Sequence, residues 1–394
     1  MAETRLLTRP FALCFVANLL QGLAFNLFLH FPGYLKGLGA SELQIGLISG
    51  LTAVAAIALR PPTGRAMDRR GRRVVILVGG CVNVVAVSLY LSVASIGPWL
   101  YFVRIVHGLA EALLFSSLFT YAADHVPAAR RTQGLALFGV SGMLPISLAG
   151  TFGDWLLPRY GYSALFLCSL GLAAASLLCS LPLRDGPRPQ ALPGVRLGFR
   201  AALGQRDLLP LWFLGTSFSV ALTAFFVFIK TFVDTTGIGT VGGFFTAYTS
   251  SALALRLVLG WLPDRAGPKR VLVGALLALM IGFVALARAR TGFDVNLAGF
   301  LCGIGHGFTF PILFGLVVGR APEANRGASL AIFTALFDLG LLLGGPAFGA
   351  VIERFGYTVM FRAGAALTGL GLGVFLLWES RLARARGAPA RGSG

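Results

Sequence analysis

The sequence predicts an all-α membrane protein of twelve transmembrane helices, arranged as two related six-helix bundles. Three observations predict it. Of 394 residues, 56% are hydrophobic and 12% charged, with a mean hydropathy of +0.80, far above what a soluble domain carries. Apolar stretches recur between short polar breaks, each long enough to cross a hydrocarbon core of about 30 Å, which takes about 20 helical residues. Small polar signatures in the first half of the chain return in the second at offsets between 195 and 200 residues.

The expected spans are 11–33, 43–61, 74–96, 98–122, 133–156, 162–182, 209–232, 240–262, 270–288, 295–319, 327–351 and 357–378. The first follows Thr8-Arg9-Pro10. It is too long for the apolar region of a signal peptide and lacks a convincing small-residue cleavage site, so it reads as a retained helix. It carries Asn18, Gln21 and Asn26, amides that are costly against lipid and are expected to face the protein interior or a wet cavity. Residues 1–182 form one predicted bundle and 209–380 the other. Between them, the proline- and arginine-rich stretch 183–208 reads as a linker, with an amphipathic turn near Leu197 to Leu203, and 381–394 as a basic tail.

A net charge of +18 invites a nucleic-acid reading, but placement argues otherwise. Most of the 33 basic residues, among them Arg65, Arg69, Arg70, Arg72, Arg73, Arg188, Arg196, Arg200, Arg256, Lys269, Arg270 and Arg391, fall on one side, in the loops, the termini and the adjoining span ends. The positive-inside rule therefore expects both termini in the cytoplasm. Arg104 and Lys230 lie within spans. The five cysteines stand singly in apolar stretches without metal-ligand spacing, and no glycosylation sequon occurs. A bacterial cytoplasmic (inner) membrane, a monomer and no bound metal or cofactor are the expectations.

The repeat is legible residue by residue. Leu59-Arg60, Gly64, Asp68, Arg69 and Gly71 return as Leu255-Arg256, Gly260, Asp264, Arg265 and Gly267, 196 residues on. His107-Gly108 returns as His306-Gly307, and Gly161-Tyr162 before the sixth span as Gly356-Tyr357 before the twelfth. Both loops read Gly-x-x-x-Asp-Arg-x-Gly, followed by Arg72-Arg73 or Lys269-Arg270. Glycine suits close helix crossing and positive φ in a short turn, and the arginines suit acids and anionic headgroups.

These duplicated loops resemble the signature loop of the major facilitator superfamily, and the likeness runs along nearly the whole chain. It implies two bundles rocking around a central site, with Asp68 as a latch between them. Arg104-x-x-x-Gly108, Gly303-x-Gly305-His306-Gly307 with Pro311, and Phe337-Asp338-x-Gly340 look like the twelve-helix drug:proton antiporter branch. In that branch the helix-four arginine, matched by Arg104, is tied to proton coupling. One departure stands against export. The glycine-proline motif that exporters carry in helix five has its likeness here in span eleven, as Gly340, Gly344, Gly345, Pro346 and Gly349.

An ionisable residue at mid-bilayer costs about 2.5–3.5 kcal/mol on insertion scales and so marks a candidate site. Arg104, His107 and Glu111 share one helix face, readable as a proton and substrate relay or as a structural polar cluster. Asp338 and His306 are the candidates in the second half, and Lys230 and Asp234, at i and i+4, are placed to pair. No nucleotide-binding loop occurs, so a proton gradient is the expected energy source. The resemblance implies a secondary transporter for a small-molecule substrate, read first as efflux of an amphiphilic or drug-like compound. Uptake of a sugar or organic ion, and lipid flipping, are the alternatives. An intramembrane enzyme is disfavoured, because no nucleophile-base pair stands out.

Overall fold

The computed structural model describes residues 6–127, 130–185, 203–322 and 325–387. Arg188, Arg196, Arg200, Arg391 and most of the expected linker with its surface turn lie outside the described residues.

Local chemistry starts and stops the helices. Thr8 accepts the Phe11 amide at 3.4 Å and caps α1 (Arg9–Asn26), which passes through a 3₁₀ turn (Leu27–His30) into α2 (Phe31–Gly37). A capping box between Ser41 and Gln44 opens α3 (Glu42–Arg70). Then come α4 (Arg72–Leu89), α5 (Pro98–His125) and α6 (Arg131–Ser180). The second half runs through α7 (Leu209–Phe226), α8 (Ile229–Thr236), α9 (Val241–Val258), the short α10 (Leu262–Ala266), α11 (Pro268–Arg288), α12 (Gly292–Arg320) and α13 (Arg326–Gly387). This last helix continues into the stretch expected to be tail.

Among the described residues, nine helical stretches are long and apolar enough to cross a membrane. Two of them, α6 and α13, each contain two crossings. Their chains reverse at Gly161 (φ 72°, ψ −175°) and Gly356 (φ 81°, ψ 173°), a backbone conformation that glycine alone adopts freely. The eighth crossing, α9, carries Arg256 in its last turn and is absent from the nine; with it there are twelve. The sequence did not foretell that the first and seventh spans are each broken, at 27–30 and 227–228.

The two halves meet along two seams, α3 against α13 and α6 against α9. In the first, Gly46 faces Gly345 backbone to backbone and Gly349 rests on the Glu42 carbonyl, so that added side chains would collide. In the second, a Cβ on Gly150 would come within 3.3 Å of Gly242. Polar bonds reinforce both seams at the same end. Leu43 N donates to Glu353 at 2.8 Å, Tyr357 OH to Glu42 at 2.8 Å, Gly242 N to Asp154 at 2.6 Å, and Ser147 and Thr246 pair at 2.9 Å. This sealed end lies opposite the arginine-rich loops. At the basic end a Cβ on Gly64, Gly319 or Gly327 would meet nothing within 4 Å.

The paired loops owe their shape to Gly71 (φ 95°) and Gly267 (φ 88°). Gly64, expected to serve a close helix crossing, has open space beside it instead. In the second copy, a Cβ on Gly260 would lie 2.6 Å from the carbonyl of Arg256 in its own chain. The tight fit there comes from the end of α9 and not from a second helix.

Candidate substrate passage

A chain of amides and one carboxyl runs through the first half. Asn83 of α4 donates to Gln21 Oε1 at 3.0 Å, and Gln21 Nε2 donates to Glu111 of α5 at 2.5 Å. One turn back along α1, Asn18 donates to Ser141 of α6 at 2.8 Å. Gln21 and Asn83 are buried, whereas Glu111 keeps partial exposure. Two of the three expected interior amides thus join helices to one another. Asn26 instead bonds the Gly22 carbonyl of its own helix at 2.8 Å.

Arg104, His107 and Glu111 share a face of α5 but go to different partners. Arg104 donates to the Ile48 carbonyl at 3.1 Å, the Ser49 carbonyl at 3.2 Å and Tyr90 OH at 3.2 Å, with its guanidinium 4.9 Å from the centre of the Phe31 ring. Tyr90 also meets His107 Nδ1 at 3.2 Å. Arg104 is 6% exposed and held in a closed set of bonds away from Glu111. Glu111 has no cation partner among the described residues. Arg104 and His107 thus share one cluster and Glu111 belongs to another, because α3 supplies acceptors to Arg104 and Gln21 a donor to Glu111.

The second half repeats the histidine arrangement with a different outcome. Gly108 lies against the Thr52 backbone, and Gly307 against Ala252, so each His-Gly pair combines a close helix crossing with an imidazole beside it. His306 Nδ1 is hydrogen-bonded to Tyr248 OH of α9. Phe218, Phe226 and Phe310 stand around the ring at centroid distances of 5.6, 6.4 and 6.4 Å. Arg256, counted with the cytoplasmic charges from the sequence, stands in the last turn of α9 and donates to the Gly307 carbonyl at 3.4 Å. Asp338 is 8% exposed on α13, one turn from Leu342, which packs against Gly50 at the α3 seam.

Lys230 and Asp234 pair as expected, at 2.5 Å. They stand by the sealed end, where His30 Nε2 lies 3.0 Å from the Gly150 carbonyl and His30 Nδ1 lies 3.9 Å from Asp154. At the basic end the duplicated loops bind within their own halves. Asp68 is 73% exposed and 3.7 Å from Arg72, which also reaches Asp124 at 2.9 Å. The Arg73 amide donates to Asp185 at 2.9 Å. In the second half Lys269 and Arg320 converge on Glu379 at 2.5 Å each. Arg69, Gly260, Asp264 and Arg265 stand in the same loops, with Arg265 4.9 Å from the Trp261 ring centre.

Sequence reasoning missed Asn83, Tyr90, Tyr248 and Asp154. A lone polar residue in an otherwise apolar run was the available signal for Asn83; the tyrosines pass as interfacial residues until their hydroxyls are seen to face histidines.

Comparison with known proteins agrees with this architecture. Residues 11–292 and 238–393 match the Major Facilitator Superfamily profile. The chain is 26% identical over 364 residues to the uncharacterized MFS-type transporter YhhS of Escherichia coli K12, covering 88% of this chain and 86% of that protein. Its Salmonella paratyphi C counterpart is 25% identical over the same length. Among solved structures, the nucleoside transporter NupG superposes with a TM-score of 0.76 at 14% identity, covering 94% of this chain and 99% of that one. The human organic anion transporter MFSD10 superposes with a TM-score of 0.66 at 20% identity, covering 93% and 99%. A multi-pass membrane protein with this fold, these seams and this match along its length belongs to the major facilitator superfamily.

Proposed function

We propose that this protein is a proton-coupled secondary transporter that works by alternating access, exporting a small amphiphilic solute across a bacterial inner membrane with both termini in the cytoplasm. The observation that carries this reading is the contrast between the two ends. Glycine seams and cross-half hydrogen bonds close one end, at the other the ion pairs of Asp68 with Arg72 and of Glu379 with Lys269 and Arg320 each stay within one half, and polar groups from both halves stand between. With the basic end in the cytoplasm, this is the inward-open member of an alternating pair. The exposed Asp68 fits a latch that has let go.

Glu111 is the leading proton carrier. A carboxyl held by an amide, with no cation among its described partners, binds and releases a proton as its surroundings change between dry and wet. Asp338, at the α3 seam, is the second. Uptake is the competing direction, favoured by the glycine-proline motif standing in α13 and not in the fifth span, where exporters of the family carry it.

Proteoliposomes with a pH-sensitive dye inside test the proposal. Addition of transported compounds is expected to move protons in the wild type, and Glu111→Gln and Asp338→Asn are each expected to lose that movement while retaining solute binding. Full proton-coupled transport by both variants refutes the assignment, and the sign of the proton flux separates export from uptake.

A further inference from the structure

We infer that Arg256 is the anchor for an anionic group on the substrate, in a subsite completed by His306 and the surrounding phenylalanines. The transported molecule is thereby an amphiphilic anion, with an aromatic or otherwise apolar body and a carboxylate, sulfonate or phosphate head. The inference rests on the transport reading only for the steps after binding; the subsite stands on its own geometry.

The internal repeat gives the first argument. It supplies an arginine to the second span and another to the eighth, Arg60 and Arg256, but of the matching fifth and eleventh spans only the eleventh carries an acid at the place of Asp338. The fifth span therefore offers Arg256 no acid at the place that Asp338 takes in the eleventh. Where Arg256 approaches the fifth crossing it finds Gly139, and a Cβ there would stand 3.8 Å from Nη1. A guanidinium facing a glycine has room in front of it, where no side chain of position 139 stands.

Comparison with Arg104 gives the second argument. Both arginines belong to a cluster with a tyrosine and a histidine, so the protein shows what a structural arginine looks like. Arg104 is almost wholly buried, with each guanidinium nitrogen donating at 3.1–3.2 Å. Arg256 is half-buried, makes a single 3.4 Å bond to the Gly307 carbonyl, and has no ion-pair partner among the described residues. Its titratable neighbours are Tyr248 and His306. A cation partly withdrawn from water without a counter-ion is unfavourable unless something supplies the missing charge. The planar fork of arginine matches carboxylate and phosphate oxygens two at a time.

His306 adds a further donor and the apolar walls. When the Tyr248 hydroxyl donates to Nδ1, the ring proton stands on Nε2, which bonds no described residue. Phe218, Phe226 and Phe310 around that ring, with Phe337 5.3 Å beyond Phe310, offer edges and faces to an apolar body. A Cβ on Gly142, one turn along from Gly139, would stand 3.9 Å from Asn18 Nδ2. The same stretch of α6 thus borders both Arg256 and Asn18, which lies one turn from Gln21 on α1.

The test uses purified full-length protein in neutral-lipid nanodiscs and reads binding by calorimetry. The probes are 2-naphthoate, 2-naphthalenesulfonate and 1-naphthyl phosphate, each compared with uncharged 2-naphthamide. At least one anion is expected to bind at least about tenfold more tightly than the amide, as for loss of one charge-assisted pair. Arg256→Gln is expected to abolish that preference without changing affinity for the amide, and Arg256→Lys to keep part of it. Retained amide binding shows that the variant is folded. Equal affinity for acid and amide in the wild type, an unchanged preference in Arg256→Gln, or no saturable binding of any of the three anions overturns the inference. Repeating the titration with phosphatidylglycerol in the nanodisc identifies the source of the anion: competition assigns the subsite to a lipid headgroup, and its absence to a soluble anion. Selective binding without proton-coupled transport would sink the proposed function and leave the subsite standing.

Discussion

Replacing Gly46 with alanine probes the sealed end most directly. Gly46 and Gly345 meet backbone to backbone, and a Cβ at position 46 would fall on the Gly345 carbonyl, with the Pro346 nitrogen 2.8 Å away. The obstacle is main chain on both sides, so no rotamer change relieves it, and α3 must move away from α13. Overpacking of a close-packed contact costs about 1–3 kcal/mol. The cost falls only on the state in which this end is shut, so the balance between the two conformations shifts by about 5- to 150-fold toward opening there. Spin labels on Gly37→Cys and Thr235→Cys, exposed positions on opposite halves near the sealed end, would report it with the native cysteines replaced. The expected result is a longer distance population that Gly64→Ala does not produce, since a Cβ at 64 meets nothing. A distance distribution unchanged by Gly46→Ala would refute the view that this seam is a closed gate.

Two further outcomes are expected from the geometry. Arg104→Ala should strip Tyr90 and two carbonyls of a buried donor and cost about 3–5 kcal/mol, seen as a lower melting temperature and poor recovery from membranes whether or not a ligand is present. A selective loss of transport with normal stability would contradict a structural role for this arginine. Gly161→Ala and Gly356→Ala should each cost about 1–2 kcal/mol through positive φ alone, because neither Cβ meets a neighbour; thermal unfolding of each should shift modestly and alike, and a large loss at one site only would point to a contact instead.

Much of the architecture is legible without coordinates, and particular residues show why. Crossing a bilayer demands runs of apolar residues, a constraint each span satisfies alone, so the twelve crossings are legible as apolar stretches. The turn glycines Gly71, Gly267, Gly161 and Gly356 recur in register because a reversal of a few residues needs a positive φ wherever it occurs. The pairing of Lys230 with Asp234 is legible because helical spacing fixes their distance.

Partnership between distant helices was not legible, because it depends on which faces meet. The one-dimensional spacing of Arg104 and Glu111 put them on one helix face; α3 and Gln21 give them separate partners. Arg256 counted as one more cytoplasmic charge at a span end until α9 turned it toward Gly307 and the empty side of Gly139. The repeat had written the same histidine-glycine signature into both halves. Packing then gave one arginine a full set of acceptors and left the other short of them, and hydropathy and spacing carry no information about such a difference.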